Sequence, residues 1–207
     1  MLRPFLALAT AALLLGGCAA TSMQASWTDP DYKAGKVKSI FVMGLAKDDF
    51  VRRLFEDEFS RQLAARGVKG VSSYKHLEPG LQEDRTALNA KVKSLGAETV
   101  LLSKVVGSRT DTVVTPARTT YSGGGPYYPS HYRDHWHDYY RRSYETTYTP
   151  ATVTDFQVYT VETNLYDTNA GMIWSAQSET IAGGQLQATI KEFIELVIKD
   201  LAKQGLI

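Results

Sequence analysis

The stretch Val37 to Leu45, VKSIFVMGL, decides the fold. It is short, apolar and rich in Val, Ile and Phe, which is how a buried strand reads. Asp48 or Asp49 follows and can cap a helix. Phe50 to Arg66 then places Val51, Leu54, Phe55, Phe59 and Leu63 on one face at helical spacing. The charged residues between them, Arg52, Arg53, Glu56, Asp57 and Glu58, read as a solvated face. Gly67 stands where a C-terminal cap belongs.

Reading onward, Val68 to Tyr74 is a second short strand and Pro79-Gly80 a turn. Asp84 or Thr86 opens a second helix with Leu88, Val92 and Leu95 inward and Gly96 at its end. Thr99 to Val106 (TVLLSKVV) is a third strand. Strands alternating with helices through short links predict parallel pairing and right-handed crossovers. Val153 to Tyr166 and Met172 to Ile181 flank a turn at Asp167–Gly171 and predict an antiparallel hairpin, with Trp174 in the core. Leu186 to Gln204 carries Ile190, Phe193, Ile194, Val197, Ile198 and Leu201 on one stripe, and Leu206-Ile207 is expected to pack beneath the domain. The fold class is therefore α/β (α+β): a mixed sheet of about five strands, βαβαβ and then a hairpin, flanked by three helices. A single domain over 37–207 is expected.

One segment breaks the pattern. Residues 107–152 hold eight of the 12 tyrosines, three of the four histidines, four prolines and Gly123-Gly124-Gly125. Their aliphatic content is too low for a core. A long insert of this kind inside a compact domain is functional or disordered, and a flexible Tyr/Gly/Pro-rich insert is expected here. Its flanks, Thr112–Pro116 and Thr147–Pro150, read as arms of a long hairpin or as extensions of the neighbouring strands.

The amino-terminal region reads as an address. Arg3 precedes an apolar run of 11 residues, Phe5 to Leu15, too short for the roughly 20 residues of a bilayer span and suited to a secretory signal. Leu15-Gly16-Gly17-Cys18 closes it and holds the chain's one cysteine. L-G-G-C resembles the lipobox of bacterial lipoproteins. The resemblance implies residues 1–17 as a signal peptide cut between Gly17 and Cys18, diacylglycerol on the Cys18 thiol, and acylation of the new amino group. Ala19 after the cysteine, by the sorting rule of that system, implies the periplasmic face of the outer membrane. Residues 18–36, small and polar, read as a lipidated tether, with Trp27 and Tyr32 docking on the domain.

Lys and Arg number 23 against 22 Asp and Glu, and loss of Arg3 with the signal balances them. A neutral chain is unsuited to nucleic acid, whose phosphates demand a basic surface. No disulfide can form within a chain holding one cysteine.

The order of IFVMGL, RRLFEDEF, AARGV, GAETVLL and NLYDTNAGMIWS, closed by a helix ending in Leu-Ile, resembles a group of bacterial outer-membrane lipoproteins. Their domain is similar to the amino-terminal domain of TolB and, more distantly, to CsgG and the lipoprotein activators of cell-wall synthases. The likeness covers residues 27–106 and 153–207 and implies fold more than function. The chain lacks the pore hairpins, the β-propeller and the long reach of those three relatives.

No G-x-S-x-G, H-E-x-x-H, P-loop or helix-opening G-x-G-x-x-G occurs. No catalytic residue and no cofactor is expected. His131, His135 and His137, with Asp134 and Asp138, are weak candidates for a metal such as zinc or copper; Gly/Pro flanks leave them unorganised, and no metal is expected. Tyr127, Tyr128, Tyr132, Trp136, Tyr139, Tyr140, Arg141 and Arg142 form a candidate interaction surface, since Tyr and Arg give large contacts at low entropic cost. A pocket at the carboxyl ends of the parallel strands is a further possibility, with Asp48, Asp49, Tyr74, Lys75 and His76 near it. The leading expectation is a non-enzymatic, lipid-anchored envelope protein that binds an envelope protein partner or itself; metal binding by the insert and an enzyme site at the strand ends are the alternatives.

Overall fold

The computed structural model describes residues 21–78, 81, 84–121, 146–182 and 185–207. Among them the fold is mixed α/β, with a six-stranded sheet, a separate two-stranded sheet and three α-helices. The chain runs β1 (Thr21–Thr28), β2 (Ser39–Leu45), α1 (Asp49–Ala64), β3 (Lys69–Ser72), a 3-10 turn (Ser73–Lys75), α2 (Arg85–Ser94), β4 (Thr99–Thr115), β5 (Arg118–Tyr121), β6 (Thr146–Thr149), β7 (Thr152–Asp167), β8 (Gly171–Ala182) and α3 (Leu186–Lys203).

The large sheet has the order β1-β8-β7-β4-β2-β3. β2 is parallel to both β3 and β4, whereas β7–β8 and β8–β1 are antiparallel. β2 is buried on both faces, which is why it is apolar at consecutive positions. Ile40 and Val42 join one core cluster with residues of α1 and α3, while Phe41 and Met43 join another with Val71 and Val92 of β3 and α2. Helices thus cover both faces, α1 and α3 on one and α2 on the other.

Local chemistry sets the helix ends. Asp48 Oδ1 accepts from the Val51 amide at 3.0 Å, and Asp84 Oδ1 from the Thr86 and Ala87 amides at 2.8 and 3.0 Å, each the side-chain cap of an N-terminus. Gly67 follows α1 with φ +77°, a left-handed conformation that glycine adopts without strain. Asp167 Oδ1 accepts from Asn169 and Ala170 amides in the β7–β8 turn, as an Asx turn requires. In α3 the six expected positions, from Ile190 to Leu201, are the buried ones. Trp174 is fully buried and donates from Nε1 to Asp200 Oδ2 at 3.0 Å. Leu206 is buried, and its carbonyl accepts from the Val37 amide at 2.7 Å.

One expectation needs correcting. Residues 18–36 do not form a tether throughout: Thr21–Thr28 is an edge strand, paired with β8 from Thr21↔Thr180 to Thr28↔Trp174. Its side chains are mostly polar and exposed, so the backbone ladder holds it, and that leaves no apolar pattern to read. Tyr32 does pack against the core, but Trp27 on this strand is exposed. The sheet consequently has six strands rather than five.

Both readings of the flanks of the insert over 107–152 appear. β4 continues through Thr115, so the Thr112–Pro116 flank extends a neighbouring strand. Thr147 and Tyr148 instead pair with Thr120 and Thr119 in the two-stranded sheet. The described residues up to Arg109, together with 157–207, make one compact unit, and those of Thr110–Phe156 make a smaller one. The smaller unit holds the β5–β6 hairpin and a bond from Thr112 Oγ1 to Asp155 Oδ1 at 2.7 Å. Val113, Val114, Tyr148 and Val153 of that unit are exposed.

Candidate functional site

The densest polar constellation among the described residues is one that sequence reasoning placed in solvent. Glu56 is 0% exposed. Its Oε1 accepts from the Gly44 amide at 3.0 Å, from Arg52 Nε at 3.0 Å and from Ser73 Oγ at 2.7 Å. Its Oε2 accepts from the Tyr74 amide at 2.9 Å. Arg52 also donates from Nη2 to Ser73 Oγ at 2.9 Å. Glu56 lies three and seven residues before Phe59 and Leu63, both fully buried, so a helical period does carry it inward. That spacing was the available signal; the end of β2 and the 3-10 turn close over it. Four donors converge on this one carboxylate, three on Oε1 and one on Oε2. The group therefore works as a clamp joining α1, β2 and the turn after β3.

Beside it, Asp57 meets water. Its carboxylate accepts from Ser72 Oγ at 3.0 Å, from the Tyr74 hydroxyl at 2.7 Å and from Lys75 Nζ at 2.7 Å. Burial alone raises the Asp57 carboxyl, but the bonds from Lys75, Tyr74 and Ser72 and the Lys75 charge outweigh it and hold the group below its ordinary value. The same contact with Asp57 pushes the Tyr74 hydroxyl and the Lys75 ammonium up. Arg53 and Lys75 stand 5.6 and 5.2 Å from the Tyr74 ring centre, a cation–π arrangement.

A pocket does form at the carboxyl end of β2, but without the residues expected there. It measures about 450 Å³ and is lined by Gly44 and Leu45 at the end of β2 and Ala46 after it, by Val51 and Phe55 of α1, by β4, β7 and β8, and by α3 through Ile190 and Phe193. Asp48 caps α1 and Asp49 lies in its first turn, Tyr74 and Lys75 bond Asp57, and the His76 amide closes the 3-10 turn on the Ser73 carbonyl. None of the five lines the pocket, and among the described residues its lining contains no carboxylate and no imidazole. The lining is mostly hydrocarbon, with Ser103, Lys104, Tyr159, Thr180 and Thr189 as its polar side chains.

The remaining candidates lie outside the described residues: Gly17 and Cys18, the histidines His131, His135 and His137, and the surface of Tyr127, Tyr128, Tyr132, Trp136, Tyr139, Tyr140, Arg141 and Arg142. Among the described residues no group of His, Cys, Asp and Glu could hold a metal ion, and no helix is long and apolar enough to cross a membrane.

No family model matches the chain, and no curated protein does. Solved structures resemble it at low identity. PelC from Paraburkholderia phytofirmans, a dodecamer, is 16% identical over 90% of this chain and 99% of its own, with a TM-score of 0.45. A point variant of that PelC is 15% identical over 88% and 99%, with a TM-score of 0.44. A PDZ-domain protein from Parabacteroides distasonis is 8% identical over 89% of this chain and 35% of its own, with a TM-score of 0.37. None of these likenesses reaches a level at which a neighbour's role transfers.

Proposed function

We propose that this is a lipid-anchored lipoprotein of the bacterial cell envelope, held through Cys18 at the periplasmic face of the outer membrane, and that it binds a partner rather than catalysing a reaction. The observation that carries the reading is Leu15-Gly16-Gly17-Cys18 at the end of an 11-residue apolar run, with the chain's one cysteine at the position where lipidation needs a thiol. A thioether-linked diacylglycerol plus an amide-linked acyl chain makes a stable anchor, whereas a single chain holds only marginally.

Binding is the second half of the proposal. The smaller unit supports it: four large apolar residues, Val113, Val114, Tyr148 and Val153, are exposed within a stretch too small to build a core of its own. Apolar side chains left in water next to a Tyr/Arg-rich segment suit a protein surface, either an envelope partner or a second copy of the chain. The resemblance to TolB-type lipoprotein domains belongs to the same proposal.

The test is metabolic labelling with palmitate and fractionation of the envelope. Wild type should carry label and sediment with outer membranes. Cys18→Ala should lose the label and leave the membrane. Retention of that variant on membranes at high salt would overturn the anchor.

A further inference from the structure

The apolar cavity has no part in the anchor reading so far, and its lining is one-sided. Of its five polar side chains, four already have partners inside the protein. Ser103 Oγ pairs with Thr163 Oγ1 at 3.0 Å, Lys104 Nζ with Glu162 at 3.4 Å, and Thr180 Oγ1 with Thr21 Oγ1 at 3.3 Å. Thr189 Oγ1 donates to the Gln185 carbonyl at 3.4 Å. Small-molecule sites normally keep a few polar groups convergent and available to orient a ligand. Here four are engaged and Tyr159 is the fifth; the rest of what faces an occupant is apolar, with Val51, Phe55, Val161, Ile190 and Phe193. Such a surface recognises hydrocarbon. The volume, about 450 Å³, lies within the range of small-ligand sites.

The second observation is where the chain enters. Thr21, the first residue of β1, is buried against Thr180 of the cavity wall. Cys18 stands three residues earlier. Three residues of fully extended backbone reach about 10–11 Å, so any lipid on Cys18 starts within that distance of the wall. A tether of residues 18–36 would have put the anchor anywhere; an edge strand beginning at Thr21 ties it to this end of the sheet.

We propose that one acyl chain of the lipid on Cys18 folds back into this cavity, so that the domain shelters part of its own anchor. The inference rests on Cys18 being lipidated. An anchor of diacylglycerol plus an amide-linked chain has three acyl chains, and two left in the bilayer still hold the protein. The chain in the cavity covers the faces of Phe55, Ile190 and Phe193. It also draws Leu45, Val105 and Leu186, exposed around the opening, towards the membrane surface. The domain is then held in one orientation instead of swinging on its anchor.

The experiment feeds cells a palmitate bearing a diazirine, irradiates membranes containing the full chain, and maps crosslinked peptides by mass spectrometry. The mass of the amino-terminal peptide reports lipidation separately. If Cys18 carries no lipid, the anchor reading and this inference both fall. If it is lipidated, the expected result is a crosslink from its own lipid to the segments Gly44–Phe55 or Leu186–Phe193. Thr189→Trp and Ala182→Trp, which fill the cavity from its rim, should lose that crosslink while keeping the lipid on Cys18. The wild-type map decides without them: a lipidated Cys18 that crosslinks only to phospholipid overturns the inference. So does a Cys18→Ala protein, irradiated in whole cells, that is labelled in the same segments, since free lipid would then be the occupant.

Discussion

Removing the Glu56 carboxylate should be among the most damaging single changes in the domain. In Glu56→Ala the Gly44 amide and the Ser73 hydroxyl lose their acceptor, and both residues are buried. A buried donor left unpaired costs about 1–3 kcal/mol. Arg52 loses its partner as well, although its side chain is 29% exposed and can be partly rehydrated. Breaking a buried ion pair from one side costs about 3–5 kcal/mol, and two orphaned donors together cost about 2–6 kcal/mol, which brackets it. We expect a loss of about 3–5 kcal/mol, read by urea denaturation of the purified protein. At a slope of about 2–3 kcal/mol per molar, the midpoint should fall by about 1–2.5 M. Glu56→Gln keeps the volume and one acceptor oxygen but turns an N–H donor towards Arg52 or the Tyr74 amide, so it should lose less, about 1–3 kcal/mol. An alanine variant within about 0.5 kcal/mol of the parent would behave like a surface substitution and refute the clamp.

The other predictions use the same denaturation assay unless stated. Gly70→Ala should cost about 1–3 kcal/mol, as overpacking does, because the new Cβ would stand 2.5 Å from Ser60 Cα on α1; an unchanged midpoint would mean that α1 and β3 are not in close approach. Asp200→Ala should lower the thermal midpoint by leaving Trp174 Nε1, on a fully buried indole, without its acceptor, at about 1–3 kcal/mol. Asp57→Asn addresses pH. The lowered Asp57 value means that its contribution is fully present above the ordinary aspartate value and is lost as pH falls through the lowered one. The variant should therefore show a shallower loss of stability over that acid window than wild type. The difference should be small, since the Asp57 side chain is 46% exposed and solvent screens it; identical acid limbs would remove Asp57 from the account.

Much of the fold was legible because it is written in short-range patterns. VKSIFVMGL has to be a strand buried on both sides, since every side chain from Ser39 to Gly44 must leave water. The α3 stripe repeats at helical spacing over 12 residues, from Ile190 to Leu201, and six buried side chains follow from it. Asp48, Asp84 and Asp167 each bond amides two or three residues away, so a reader of the chain needs no tertiary information to place them. The lipobox is equally local, being a few residues placed after an apolar run.

What only the tertiary structure decided involves partners far apart in the chain. Thr21–Thr28 becomes a strand because β8, more than 140 residues later, offers its backbone edge. Main-chain hydrogen bonds carry no side-chain signature, and so the segment reads as polar linker. Glu56 was assigned to the charged face because Arg52, Arg53, Asp57 and Glu58 surround it in sequence. Its burial depends on the Gly44 and Tyr74 amides, brought over it by the β2–β3 pairing and the turn that follows. The strand-end pocket was anticipated by topology, but its chemistry was not. Capping and the Asp57 contacts draw the expected polar residues away, and the ends of α1 and α3 leave an apolar hollow in their place. Local periodicity settles which face of an element is dry; which charged group is carried into the dry region, and which polar segment closes the sheet, depends on distant backbone that the periodicity does not contain.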